Sequence, residues 1–137
     1  MTEYTYDLII TSTFESIKTM IPGTFHYELE NSRPLMAAVQ VGIIGEVKGS
    51  LLIEGNEDVF KDFGLKLYGM ALEGEMLSSF IGEFANMVAG QMATHLSSQG
   101  MNLDITPPKL LADTLGFAPY THKQEGPLKV SFSESSL

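Results

Sequence analysis

Between residues 77 and 96 the apolar positions recur every three or four residues: Leu77, Phe80, Ile81, Phe84, Val88, Met92 and Leu96. At roughly 100° per residue they gather on one broad side of a helix. The pattern predicts that this helix starts near Glu73 and ends at Gly100, a residue suited to a left-handed C-terminal cap. Its other side carries a second row, Glu75, Ser79, Gly82, Asn86, Gly90, Ala93 and Ser97, with Glu83 beside Asn86. A solvated face ordinarily shows Lys, Arg and Glu, and a buried one Leu and Val. This one is small and nearly uncharged. Its two interior glycines each cost about 1 kcal/mol relative to alanine, so close approach of another backbone is the expected compensation. No Lys or Arg occurs between Lys66 and Lys109, which leaves Glu83 without a cation nearby in sequence.

The remaining pattern supplies the surroundings of that helix. Tyr6, Ile10, Phe14, Ile17 and Ile21 have helical spacing within residues 4–21, and Ile21-Pro22-Gly23 ends the run. "FHYELE", "MAAVQVGII" and "VKGSLLIE" read as strands, with Gly45-Glu46 turning the second into the third. Asn56 is placed to cap a short helix through Val59, Phe60, Phe63 and Leu67. After the long helix, "NLDITPPKLLAD" reads as an extended connection into a strand, because each Pro excludes helix for itself or its neighbour. "GFAPYTH" and "PLKVSFSE" are two further strands. The order predicts an α+β fold, long helices packed on one mainly antiparallel β-sheet. No linker or low-complexity tract divides residues 1–137, which are expected to form one domain.

Composition narrows the function. With 44% hydrophobic and 18% charged residues the chain is expected to fold. A net charge of −9, with eight scattered Lys and Arg, argues against nucleic acid. The longest mostly apolar run, "MAAVQVGIIG", is too short to span a bilayer, and no signal-like segment is recognisable, so a cytoplasmic location is expected. Zero Cys removes disulfides, thiolate metal sites and a Cys nucleophile. His26, His95 and His122 are too dispersed to suggest a metal triad, and Met76, Met87, Met92 and Met101 read as core or seam filler. The glycines of "GIIGEVKGS" lack the Lys-Ser/Thr of a phosphate loop. From periodicity alone the small row is either a docking face or the seam for a second helix of the same domain.

The residues Ser79-x-x-x-Glu83-x-x-Asn86, inside "GEFANMVAG" and followed by "LDITPP", resemble the signature helix of the CheC/CheX/FliY phosphatases of bacterial chemotaxis, and above all its single-domain CheX-like branch. The likeness runs from "GEVKGSLLIEG" to "LDITPPKLL" and more faintly to both ends. One departure is that Gln91 stands where the CheC-type motif often has Pro. The resemblance implies hydrolysis of the aspartyl phosphate on a CheY-like receiver domain, with Asn86 orienting the attacking water and Glu83 contacting the receiver's lysine. Ser79, Gly82, Gly90 and Ala93 would then form the docking row. It also implies a homodimer, for which the apolar "LKVSF" is a candidate sheet edge, no cofactor of the protein's own, and Mg²⁺ in the partner receiver. In the first helix, Thr11-x-x-x-Glu15-x-x-Lys18 has a similar register with Lys in place of Asn, so one site is expected. The alternatives are a non-catalytic receiver-binding or flagellar-switch adaptor on the same fold, and a homodimeric scaffold whose small face is a self-contact.

Overall fold

The structure, a computed structural model, describes residues 3–21, 36–111 and 121–134. Their order is α1 (Glu3–Met20), β1 (Met36–Gly45), β2 (Gly49–Asn56), α2 (Glu57–Tyr68), α3 (Gly74–Ser98), β3 (Leu103–Ile105), β4 (Lys109–Leu111), β5 (Thr121–Glu125) and β6 (Leu128–Glu134). All pairings between the strands are antiparallel. The expected α+β class is therefore the observed one. The expected strand "FHYELE" and the first five residues of "GFAPYTH" lie outside the described residues.

The sheet runs β3-β1-β2-β6-β5, with β4 also on β1. This corrects one expectation: β6, which contains "LKVSF", is an interior strand between β2 and β5. Its alternating Leu128, Val130 and Phe132 are buried on the helical side, alongside Leu51 and Ile53 of β2 and Val39, Val41 and Ile43 of β1. α3 lies over β1, β3 and β4, whereas α1 lies over β5 and β6 and packs against α3. α2 closes the end of β2, and Phe60, Phe63, Phe80 and Phe84 join the two helices through ring contacts of 5.4–6.1 Å. Burying four such rings anchors the N-terminal half of α3 more firmly than helix propensity would.

The helix ends follow from local chemistry. Asn56 Oδ1 accepts from Asp58 N–H at 2.9 Å, which caps α2. Gly69, at φ 71°, ends it, its N–H donating to Leu65 O at 2.8 Å. Gly100 sits past the end of α3 at φ 96°, as its sequence position suggests.

Along β1, Ile43 pairs with Ile105 and Gln40 with Lys109, so Val41 and Gly42 are opposed by Thr106, Pro107 and Pro108. The segment read as a plain extended connection is thus an edge strand broken by one surplus residue, a bulge.

Candidate active site

Every residue of the apolar stripe on α3 is buried, together with Ala85, Ala89 and Ala93. The opposite row divides in two. Glu75, Ser79, Glu83 and Asn86 are exposed, and Gly82 and Gly90 are half-buried. Ala93 is only 6% exposed and belongs to the core. α1 packs against α3, and α1 carries small buried residues of its own, Ser12, Thr13 and Ser16. Ala85, Ala89 and Ala93, four apart, give α3 a small strip suited to such close packing. The internal-seam reading therefore holds for Ala93, whereas Ser79, Gly82, Glu83, Asn86 and Gly90 lie outside that strip.

Glu83 and Asn86, one helical turn apart, line a cleft whose other wall is Ile105, Thr106, Pro107 and Pro108. The bulge is pinned to β1 by two reciprocal bonds: Thr106 N–H donates to Gly42 O at 2.9 Å, and Gly42 N–H donates to Thr106 Oγ1 at 3.0 Å. A side chain at Gly42 would collide with that hydroxyl. The wall is stiff as well as pinned, since two consecutive prolines fix their φ angles. Sequence reasoning missed this part of the site. "TPP" was visible, but its pairing with β1 across some sixty residues was not.

Gly82 and Gly90 flank the pair and face this wall. A Cβ at Gly82 would lie 3.9 Å from Pro108 Cγ, and one at Gly90 would lie 3.9 Å from Ile105 Cδ1. Those are ordinary contacts, so alanine would fit at either place. Gly64 of α2 is different, because a Cβ there would come within 2.6 Å of Leu72 Cδ1. A side chain at 64 would require the Leu72 side chain to shift, whereas one at 82 or 90 would require nothing to move.

Electrostatically the cleft is acidic, and among the described residues its carboxylate is unpaired. Among the described residues the ion pairs are Lys18–Glu125, Lys61–Glu57, Lys66–Asp62 and Lys123–Glu125, and none involves Glu83. Among the described residues the Asn86 amide likewise has no hydrogen-bond partner. The similar register on α1 is used otherwise. Lys18 Nζ pairs with Glu125 Oε2 at 2.8 Å, and Lys123 Nζ sits 3.3 Å from Oε1. Burial would raise the Glu125 carboxyl, but the hydrogen bonds and charges of Lys18 and Lys123 outweigh it and hold the group below its ordinary range. This links α1 to β5. No cluster of three or more His, Asp or Glu suited to a metal occurs among the described residues, where His95 and His122 are both exposed. Of the methionines read as filler, Met92 is buried, whereas Met76 is exposed beside the groove at the start of α3. No described helix is long and apolar enough to cross a membrane.

Known proteins share both sequence and fold with this chain. The model of the chemotaxis phosphatase CheX family matches residues 37–132. The CheY-P phosphatase CheX of Thermotoga maritima is 31% identical over 116 residues, covering 76% of this chain and 72% of the relative. Among solved structures, CheX from the Borrelia burgdorferi CheX–CheY–BeF3–Mg²⁺ complex superposes with a TM-score of 0.61 at 18% identity, covering 93% of this chain and 97% of that one. A CheC-like superfamily protein from Shewanella gives a TM-score of 0.65 at 21% identity, with 97% and 99% covered. A family match across most of the chain, on the fold that the helix and sheet pattern predicts, has one meaning: the chain belongs to the CheX family of chemotaxis phosphatases.

Proposed function

We propose that the protein hydrolyses the aspartyl phosphate of a CheY-type receiver domain, with Asn86 orienting the attacking water and Glu83 pairing with the receiver's lysine. The observation that carries the reading is the exposed Glu83–Asn86 couple on α3, unpaired among the described residues. Beside it stand two glycines that the protein's own packing does not require.

An acyl phosphate is already labile, so the helper's contribution is placement. Water oxygen bonds to phosphorus, the phosphorus–oxygen bond to the aspartate breaks, and the electron pair returns to the receiver as a carboxylate. Inorganic phosphate leaves carrying the water's oxygen with one proton on it, and the second proton passes to a phosphoryl oxygen. An amide suits this task because its oxygen accepts from the water and its NH2 donates toward phosphoryl oxygens, without competing as a nucleophile. Mg²⁺ belongs to the receiver in this reading, where it offsets charge on the phosphoryl group. Glu83 supplies a docking charge and Asn86 a positioned hydrogen-bonding group. The small neighbours Ser79, Gly82 and Gly90 let the receiver's backbone come close to both.

Stopped-flow loss of receiver phosphorylation, at several concentrations of the protein, tests these roles. Asn86→Ala should slow turnover by about 10²-fold, the scale expected when a reacting group loses its positioning, while still binding a BeF3-activated receiver. Glu83→Ala should weaken binding and slow turnover together. If Asn86→Ala hydrolyses as fast as the parent, the water-orienting role is wrong and an adaptor role on this fold gains.

A further inference from the structure

Outside the Glu83–Asn86 cleft, the most conspicuous unexplained surface is apolar. Met76 is 56% exposed, Tyr68 52% and Met70 49%. With Phe80 as floor, they line a groove between the α2–α3 connection and the first turns of α3. The groove is held in shape by the Gly69 cap and by Tyr68, whose ring meets Phe80 edge-on with centroids 5.7 Å apart. Contiguous exposed apolar side chains over a preformed hollow mark binding surfaces.

Two carboxylates flank this floor. Glu75 and Glu83 line the same groove, and among the described residues neither forms an ion pair. Eight residues apart on one helix, they are ~12 Å apart along its axis. Glu83 also lines the cleft with Asn86, so groove and cleft form one continuous surface. Met76, Ser79, Glu83 and Asn86 follow one another at steps of three and four residues, the spacing of a single helix face. A protein that engages Asn86 and Glu83 is thereby brought over Met76.

We propose that this groove is a second part of the docking surface, taking from the receiver domain an apolar side chain flanked by lysine or arginine; the inference rests on the function proposed above. Charge complementarity selects the occupant. A polyanion is repelled by Glu75 and Glu83, and a second copy of this chain, at a net charge of −9, brings mostly further acid. An apolar anchor between two cations satisfies both the floor and its rim.

The test is steady-state dephosphorylation of a CheY-type receiver charged with acetyl phosphate, comparing the parent with Met76→Asp and Glu75→Lys. Both positions are exposed, so melting temperatures should stay with the parent's. Met76→Asp should raise KM by about tenfold, the size of one lost central anchor. Glu75→Lys should raise it less, and more strongly at low salt than at high. In both, kcat should stay within about twofold, as for loss of uniform binding. A parent that turns over with KM unchanged in both variants overturns the groove and leaves the function intact. A parent without turnover removes the function instead, and calorimetry with BeF3-activated receiver then decides the groove: parent binding that Met76→Asp does not weaken overturns it. Conversion of a dimer to monomer by Met76→Asp in sedimentation velocity would also overturn it, assigning the groove to self-association.

Discussion

Gly82→Ala and Gly90→Ala should stabilise the protein and impair it at once. In a helix interior, glycine is about 0.8–1.0 kcal/mol less favourable than alanine. The new methyl would find Pro108 or Ile105 at 3.9 Å, an ordinary contact, so no strain offsets this gain. The sites are eight residues apart, ~12 Å along the axis, far enough for their effects to add. The double variant should therefore gain about 2 kcal/mol. With an unfolding entropy of about 2.1 cal/mol/K per residue, a chain of 137 residues has ~0.29 kcal/mol/K. The expected rise in Tm is ~7 °C. Against that gain, each methyl thickens a face that a receiver backbone is proposed to approach, so KM for the phosphorylated receiver should rise while kcat changes less. Calorimetric melts and initial-rate kinetics read the two effects separately. A fall in Tm would show that the space beside the wall is tighter than 3.9 Å implies. An unchanged KM in the stabilised variant would remove the external reason for the glycines.

Ala93→Arg, at a buried core position, should lose several kcal/mol or fail to fold, because it places an unpaired charge in the core; denaturant unfolding measures this. Thr106→Val removes the acceptor for Gly42 N–H and should cost about 1 kcal/mol and slow turnover, whereas Thr106→Ser should restore both; melts and rates on the pair distinguish the hydroxyl from bulk. Lys18→Ala should leave receiver dephosphorylation unchanged and cost at most about 1 kcal/mol, since the Lys18 side chain is half exposed and its pair is solvent-screened. The Glu125 carboxyl is held below its ordinary value of 4.5, so its contribution is present above that pH and fades as pH falls through the lowered value. Parent and Lys18→Ala melts should therefore converge in acid, and a difference that persists well below pH 4.5 would contradict the pairing.

The parts legible in the sequence are those written in short-range periodicity. All seven residues of the α3 stripe are buried, and Asn56 caps α2, because both follow from spacing within a few residues. Ala93 was not legible, since its burial depends on where α1 settles, and an alanine at the border of a stripe fits either side. The interior place of β6 escaped for a similar reason: its pairing with β2 joins Gly49 to Glu134, far beyond any local pattern. Glu83 and Asn86 stood out because a lone acid and a lone amide interrupt an otherwise small, uncharged face. Tyr68, Met70 and Met76 did not, because hydropathy places a methionine in a core whether or not the fold leaves room for it there.

The bulge at Thr106–Pro108 also bears on solubility. β3 and β4 form the outer edge of the sheet among the described strands, and an unbroken edge offers a row of free backbone groups to any passing strand. Here the row stops after three residues, passes through two prolines that have no N–H to donate, and resumes for three more in altered register. Neither piece is long enough to template a stable ladder. Deleting Pro107 alone would remove the surplus residue and bring the two fragments into one register on β1, with Pro108 as the remaining gap in the row of donors. Such a deletion would reshape the wall beside Asn86 and, in the same step, lengthen the paired edge that the bulge now interrupts.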